Sequence, residues 1–403
     1  MKNLRIPQST PLLLCMLLTT LIATESLKII GFAALAMSLL ITLKKNITER
    51  KTSHLKIKKD LASFYTYYVL FLLTCIVSLT QDQSPGSLYV LAQYVFIIAF
   101  FFITSSTSIG CAGIKPIYSI FIIACLIVLA TKTGHYDQDG NYSFIYDNPN
   151  TFSTVSSILL VPFYFMVPRG LQKKIVITIA LLVIIFSKGR SALLGALLGI
   201  LFATYISKQR RTGKYSFTLL TILLVTISSF IYFTVNFYQS PVGLLLNEIM
   251  FSNTGKNLFS GREKLWEQLF HAINQSPFLG HGLASHASQY ADVTYSAHNQ
   301  FIQTTLQSGI LSTIFLMVSL ISLALFFSKK IESSTDIFLK RKYSTGLALV
   351  VMVIFQNNFE IYLLQNNMEL SLLFWTLIGI LASPPNTKKE RSDALQHNNT
   401  QLQ

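Results

Sequence analysis

"STIFLMVSLISLALFF", residues 312–327, carries no charge, and neither does "TLLTILLVTISSFIYFTV", residues 218–235. A helix needs about 20 apolar residues to cross a hydrocarbon core roughly 30 Å thick. A helix on the surface of a soluble domain keeps a polar face, which both stretches lack. The whole chain repeats the pattern: of 403 residues 51% are apolar and only 12% charged, where an average soluble domain has about 25% charged. The sequence therefore predicts an all-α polytopic membrane protein. Twelve spans can be marked, at 10–24, 28–43, 61–80, 88–107, 115–132, 151–167, 173–188, 191–207, 215–237, 300–327, 343–363 and 367–382. The first two are short and predict a hairpin around Glu25. No small-residue cleavage site follows the first, which reads as a retained span and not a removed signal peptide.

The net charge of +15 would suit nucleic acid if it were clustered, but its distribution points elsewhere. With the N-terminus placed in the cytoplasm, 25 of the 32 lysines and arginines fall on the same side, within 2–5, 44–60, 115, 168–174, 208–214, 328–342 and 388–391. The others are Lys28, Lys132, Lys188, Arg190, Lys256, Arg262 and Lys264. That is the positive-inside bias, with both termini cytoplasmic. The basic runs read as topology signals beside anionic lipid, and no nucleic-acid partner is expected. Three of the four cysteines, Cys15, Cys75 and Cys125, fall in spans and Cys111 in a short cytoplasmic loop; no metal-ligand spacing or structural disulfide is expected.

The chain thus divides into nine spans (1–237), a large outer loop (238–299), three further spans (300–382) and a polar tail (383–403) that composition marks as disordered. A loop as long as 238–299 in a compact protein is usually functional. It has secondary structure of its own: "SGREKLWEQLFHAINQSP" opens with Ser260 and Glu263 in capping-box spacing. Leu265, Trp266, Leu269, Phe270 and Ile273 follow at helical spacing on one face. Pro277 and the glycines of "FLGHG" end the helix. This face suits the membrane surface or the tops of the spans.

Candidate site residues gather on the outer side. Arg262 lies in the first turn of that helix, where free N–H groups and the dipole already favour an anion. It is either a phosphate clamp or the partner of a carboxylate or headgroup. Arg190 lies in "FSKGRSALLG", after a span of sixteen residues from Lys173 to Lys188, about 24 Å at 1.5 Å per residue. So short a span recesses Arg190 below the outer headgroups, where it is either functional or snorkelling. In "YSAHNQFIQTTLQSGIL" (295–311) His298 opens a helix, and Gly309, eleven residues on, falls three turns below it on nearly the same face. Glycine there would let another span approach closely. Histidine exchanges protons near neutral pH, although a lone histidine at this level can be purely structural. Asn299 is placed to orient a neighbour or a substrate. Glu360, in "QNNFEIYLLQNN", can neutralise an arginine or accept a proton. His281 and His286 are weaker candidates, since "GHG" reads first as a turn. Asn148, Pro149 and Asn150 mark where the earlier outer loop, 133–150, meets a span; they also read as an ordinary turn and helix start.

Together these residues resemble the O-antigen ligase and polymerase superfamily. The family pattern of a histidine, then Asn, Ser or Gln, then nine residues and a glycine is met by His298, Asn299 and Gly309. "SKGRSALLGALLG", "SPFLGHG" after the Trp helix, "DNPNTF" (147–152) and "NNFE" (357–360) are similar too; Ser312 departs, where ligases often have Gly, Thr or Tyr. The resemblance covers about 133–382 and implies a GT-C-like, metal-independent glycosyltransferase without a cofactor. Its donor would be an undecaprenyl diphosphate glycan. A ligase passes the glycan to a sugar hydroxyl of lipid A-core; a polymerase passes it to another lipid-linked repeat. Carried over by position, Arg190 and Arg262 would grip the diphosphate, with His298 at the acceptor hydroxyl and inversion at the anomeric carbon. Asn299, Glu360, His281 and Asn150 are the substrate-binding candidates. Length and the single dominant outer loop favour a ligase. The location implied is a bacterial inner membrane with a periplasmic site. A secondary transporter, by contrast, would show repeated halves and polar residues at mid-membrane depth, and neither is present.

Overall fold

The structure is a computed structural model that describes residues 59–106, 123, 135–136, 142–144, 148–167, 170–187, 189–208, 240–254, 262–291, 296–364 and 368–384. The expected spans 10–24, 28–43, 115–132 (apart from Ile123) and 215–237 lie outside these residues, as do Ser260 and the tail. Helices occupy the other eight positions: α1 (Ala62–Ser78), α2 (Pro85–Ser106), α3 (Pro149–Met166), α4 (Leu171–Phe186), α5 (Arg190–Lys208), α8 (Gln300–Ser333), α9 (Ile337–Gln356) and α10 (Met368–Ala382). Between them come α6 (Pro241–Thr254) and α7 (Arg262–Gln275), and a short antiparallel hairpin of His135–Tyr136 with Tyr142–Phe144. Among the described residues four helices are long and apolar enough to cross a membrane, those covering 59–78, 85–106, 190–208 and 300–333. With no water in a bilayer core, apolar stretches of this length satisfy their own backbone only as helices.

Helix α9 is the centre, packed by α5, α8, α3 and α10 and buried without a break from Lys342 to Ile354. Close packing against α5 depends on Gly199, where a Cβ would lie 2.3 Å from the Ala348 carbonyl oxygen; small residues at such crossings are how membrane helices approach. The outward faces carry exposed apolar side chains, among them Val69, Leu73, Leu197 and Leu201. This is a membrane protein's surface turned towards lipid.

Helices α1 and α8 run antiparallel. Ser78 donates to the Gln307 carbonyl (2.8 Å), Ser312 donates to Thr74 (2.7 Å), and at the far end Lys330 pairs with Asp60 (2.6 Å). The bundle therefore has two chemically different ends. One holds Asp60, Lys330 and the base of α9, where buried Lys342 donates to the Ser383 carbonyl at the end of α10. The other holds Arg262, His298, Glu360 and the start of α3.

Gly309 corrects one expectation. It is not a point three turns down an unbroken helix. Its φ of +82° and ψ of 172° interrupt α8, in a region open essentially to glycine alone. The neighbour is the loop after α7: a Cβ on Gly309 would lie 2.0 Å from the Phe278 carbonyl oxygen. The break frees backbone groups that this loop takes up, with Ile310 N–H donating to Pro277, His281 N–H to Leu306 and Gly282 N–H to Gln307. The Gln307 amide returns two bonds, to the carbonyls of Leu283 and Ser285. On its other side the loop rests on the turn before α2. There Ala284 N–H donates to Ser87, and Ser87 donates to Asp82. The Ser87 hydroxyl and then Ser84 hold the Asp82 carboxyl below its ordinary value.

Above the main core sits a second, smaller one. Leu265, Trp266, Leu269 and Ile273 of α7 bury against Ala297, Ile302, Leu306 and Ile361. The apolar face of α7 thus lies on the tops of the spans.

Candidate active site

The α7 layer fixes what stands over it. Trp266 donates its indole N–H to the Ala297 carbonyl at 2.8 Å, one residue before His298. On the other side Asn299 caps α8, its side-chain oxygen accepting from Phe301 and Ile302 N–H in the usual manner of an N-cap. Between these two anchors His298 is held at φ +49°, a left-handed conformation uncommon outside glycine though less so for histidine.

The loop that follows α9 is held as firmly. Gln300 N–H donates to the Asn357 carbonyl (2.8 Å) and the Asn299 amide to the Asn358 carbonyl (3.1 Å). The Asn357 side chain accepts from the Tyr362 and Leu363 N–H groups. Tyr362 donates its hydroxyl to Gln356, whose amide donates in turn to Ser157 on α3 and to the Ala192 carbonyl on α5. These ties place Glu360 between two cationic or basic groups. Its Oε1 is 3.4 Å from Arg262 Nη2 and its Oε2 is 3.8 Å from His298 Nδ1. All three side chains are mostly buried, with 15–24% exposed.

The three stand beside a pocket of about 190 Å³ lined by Asn148, Asn150, Thr151, Thr154, Ser296, His298, Glu360, Ile361, Tyr362 and Leu370. At roughly 30 Å³ per water, that volume holds about as much as one sugar ring. Helix α3 brings its first turns here because Asn148 caps it, accepting from Asn150 N–H, and Pro149 starts it. Among the described residues no group of three or more His, Cys, Asp or Glu is arranged to hold a metal. Asp137 and Asp139, two residues apart in the loop 133–150, lie outside the described residues.

Residues 175–317 match the family model described as O-antigen ligase. The match supports placing this region with the O-antigen ligase and polymerase superfamily. None of the curated proteins matches it. The region matched to the O-antigen ligase model contains Arg190, Arg262, His298 and Gly309, while Asn150 and Glu360 lie on either side of it. The pocket thus combines a residue inside the matched region, His298, with residues on either side of it.

Of the residues singled out from sequence, the structure brings Arg262, His298, Glu360 and Asn150 together. Arg190 is not among the pocket's lining residues. It is exposed at the start of α5, beside Gly189, where a Cβ would lie 2.2 Å from Ser153 on α3. That contact sets the start of α5 against α3, whose first turns line the pocket. Two candidates lie outside the pocket lining. Asn299 is fully buried, and its side chain bonds to the helix cap and to Asn358. His281 is turned away: its ring nitrogen is 2.8 Å from the Ala272 carbonyl, and its ring packs on Tyr290. His286 starts the turn at Ala287–Gln289 and does not line the pocket. Sequence reasoning missed Thr151, Thr154, Ser296 and Tyr362. The only available signal was Thr154 lying one helical turn after Asn150.

Proposed function

We propose that this chain is an O-antigen ligase of the bacterial inner membrane, transferring an undecaprenyl diphosphate-linked glycan to a sugar hydroxyl of lipid A-core at the periplasmic face. The arrangement of Glu360 between Arg262 and His298 beside a sugar-sized pocket carries this reading. Glu360 on the Nδ1 side of His298 leaves Nε2 to take the proton from the acceptor hydroxyl. The acceptor oxygen then bonds to the anomeric carbon of the donor as the bond to the diphosphate breaks. Undecaprenyl diphosphate leaves with the electron pair, and the anomeric configuration inverts. Arg262 offers one Nη2 to Glu360, and its remaining N–H donors, five in all on a guanidinium, suit the diphosphate. Arg190, exposed at the start of α5, supplies the second fork in this reading. Arginine charge then serves in place of a metal in stabilising the leaving group.

The lipopolysaccharide of a deletion strain tests the ligase reading. Rough core with accumulated lipid-linked polymer is the expected result. Core carrying single repeats would make the chain a polymerase. In vitro, transfer is expected to survive EDTA; dependence on a divalent ion would turn attention to Asp137 and Asp139.

A further inference from the structure

The pocket has two unlike sets of lining residues. His298 and Glu360 are the titratable ones. Asn148, Asn150, Thr151, Thr154 and Ser296 are neutral and polar, with Ile361, Tyr362 and Leu370 beside them. Among the described lining residues none is a lysine or arginine, and one is a carboxylate. A diphosphate placed there would lose its hydration beside the Glu360 carboxylate; an uncharged polyol would meet amides and hydroxyls that exchange hydrogen bonds in either direction. The arginines stand outside the lining, so the anionic and the neutral parts of the reaction have separate places. Thr154 adds an independent observation. It is 3% exposed and lines the pocket, yet among the described residues its hydroxyl has no hydrogen-bond partner in the fold. Neighbouring Ser153, Ser156 and Ser157 all return theirs to the carbonyls of their own helix. A hydroxyl at the pocket lining that is left out of its own helix's bonding is suited to an incoming partner.

We propose that Asn150, Thr151, Thr154 and Ser296 form the subsite for the acceptor sugar, selecting it by hydrogen bonds to ring hydroxyls while His298 meets the reacting one. This rests on the glycosyl-transfer reading above. The donor's diphosphate stays outside, against Arg262 and Arg190.

The test uses detergent-purified full-length protein with undecaprenyl diphosphate-linked glycan as donor and lipid A-core as acceptor. Thr154→Val keeps the shape and removes the hydroxyl; Thr154→Ser keeps the hydroxyl. Thr154→Val is expected to raise the KM for lipid A-core roughly 3- to 10-fold, the range for one lost hydrogen bond. Donor KM and melting temperature should stay unchanged, and Thr154→Ser should restore the acceptor KM. Direct binding of lipid A-core without donor should weaken by the same factor in Thr154→Val. A rise confined to the donor KM would assign the subsite to the donor sugar and overturn the proposal. An unchanged acceptor KM in a stable Thr154→Val protein would overturn it as well. Wild-type protein that transfers nothing to lipid A-core would instead refute the ligase reading, and the acceptor assignment with it.

Discussion

A carboxylate 3.4 Å from one guanidinium and 3.8 Å from an imidazole nitrogen serves two partners. It holds Arg262 in place and faces the Nδ1 edge of His298. At 3.8 Å the second contact is longer than a hydrogen bond, and such contacts often tighten only when substrate is bound. Glu360→Gln keeps the shape and removes the charge. Transfer is expected to fall roughly 10- to 100-fold, the range for a lost hydrogen bond to a charged group; activity within twofold of wild type would remove Glu360 from the mechanism. For the arginines the informative change is to lysine, which keeps the charge and loses the planar fork. Arg262→Lys and Arg190→Lys should fail nearly as badly as the alanine variants when surface glycan is assayed at native expression. Full surface glycan in either would reduce that arginine to a structural or snorkelling role. At this scale the sequence is only partly legible. Arg262, His298 and Glu360 stand out because charged or proton-exchanging groups are rare in so apolar a chain. Asn299 stood out for the same reason, yet an amide that caps a helix and one that meets a sugar look alike until its neighbours are placed. Thr154 could not be told from the serines around it, because only the tertiary fold decides which hydroxyl faces a pocket.

Elements position the site more than any single contact does. The loop 276–285 is wedged between the break in α8 and the turn before α2, and it ties α7 down. Through Trp266 and Ala297, α7 in turn fixes His298. Gly309→Ala would put a Cβ into the Phe278 backbone and force a side chain into φ +82°. The conformation alone costs about 1–3 kcal/mol, before any displacement of the loop. A lower melting temperature and lost transfer are expected together. Gly170→Ala is the control, since nothing lies within 4 Å of its Cβ position. Equal melting temperatures for the two variants would mean that the break does not hold the layer together. The sequence made α7 legible to within a residue or two, because capping, apolar spacing and the proline–glycine stop all agreed. It could not show the break at Gly309. Helical periodicity assumes a continuous helix, and a positive φ leaves no trace in the spacing of side chains.

For the molecule as a whole, apolar length and basic-residue placement carried most of the architecture, because a bilayer leaves an apolar chain few alternatives to helices. Eight of the marked spans coincide with helices. The site residues gather at the end of the bundle opposite Lys330 and Lys342, which agrees with a basic cytoplasmic side. Cysteine labelling of intact cells checks the orientation: Ser252→Cys should react from the periplasm and Ser334→Cys only after the membrane is opened. Labelling of Ser252→Cys from the cytoplasm alone would put the site on the wrong side for a periplasmic acceptor. The most direct test of the central claim is transfer of a defined undecaprenyl diphosphate-linked glycan to lipid A-core by purified wild-type and His298→Ala proteins, with donor binding and thermal stability measured alongside. His298→Ala is expected to stay folded and to bind donor through the arginines, yet to lose about 10²- to 10⁴-fold in rate, the usual cost of removing a general acid–base group. A stable His298→Ala protein that binds donor and transfers at the wild-type rate would contradict the account.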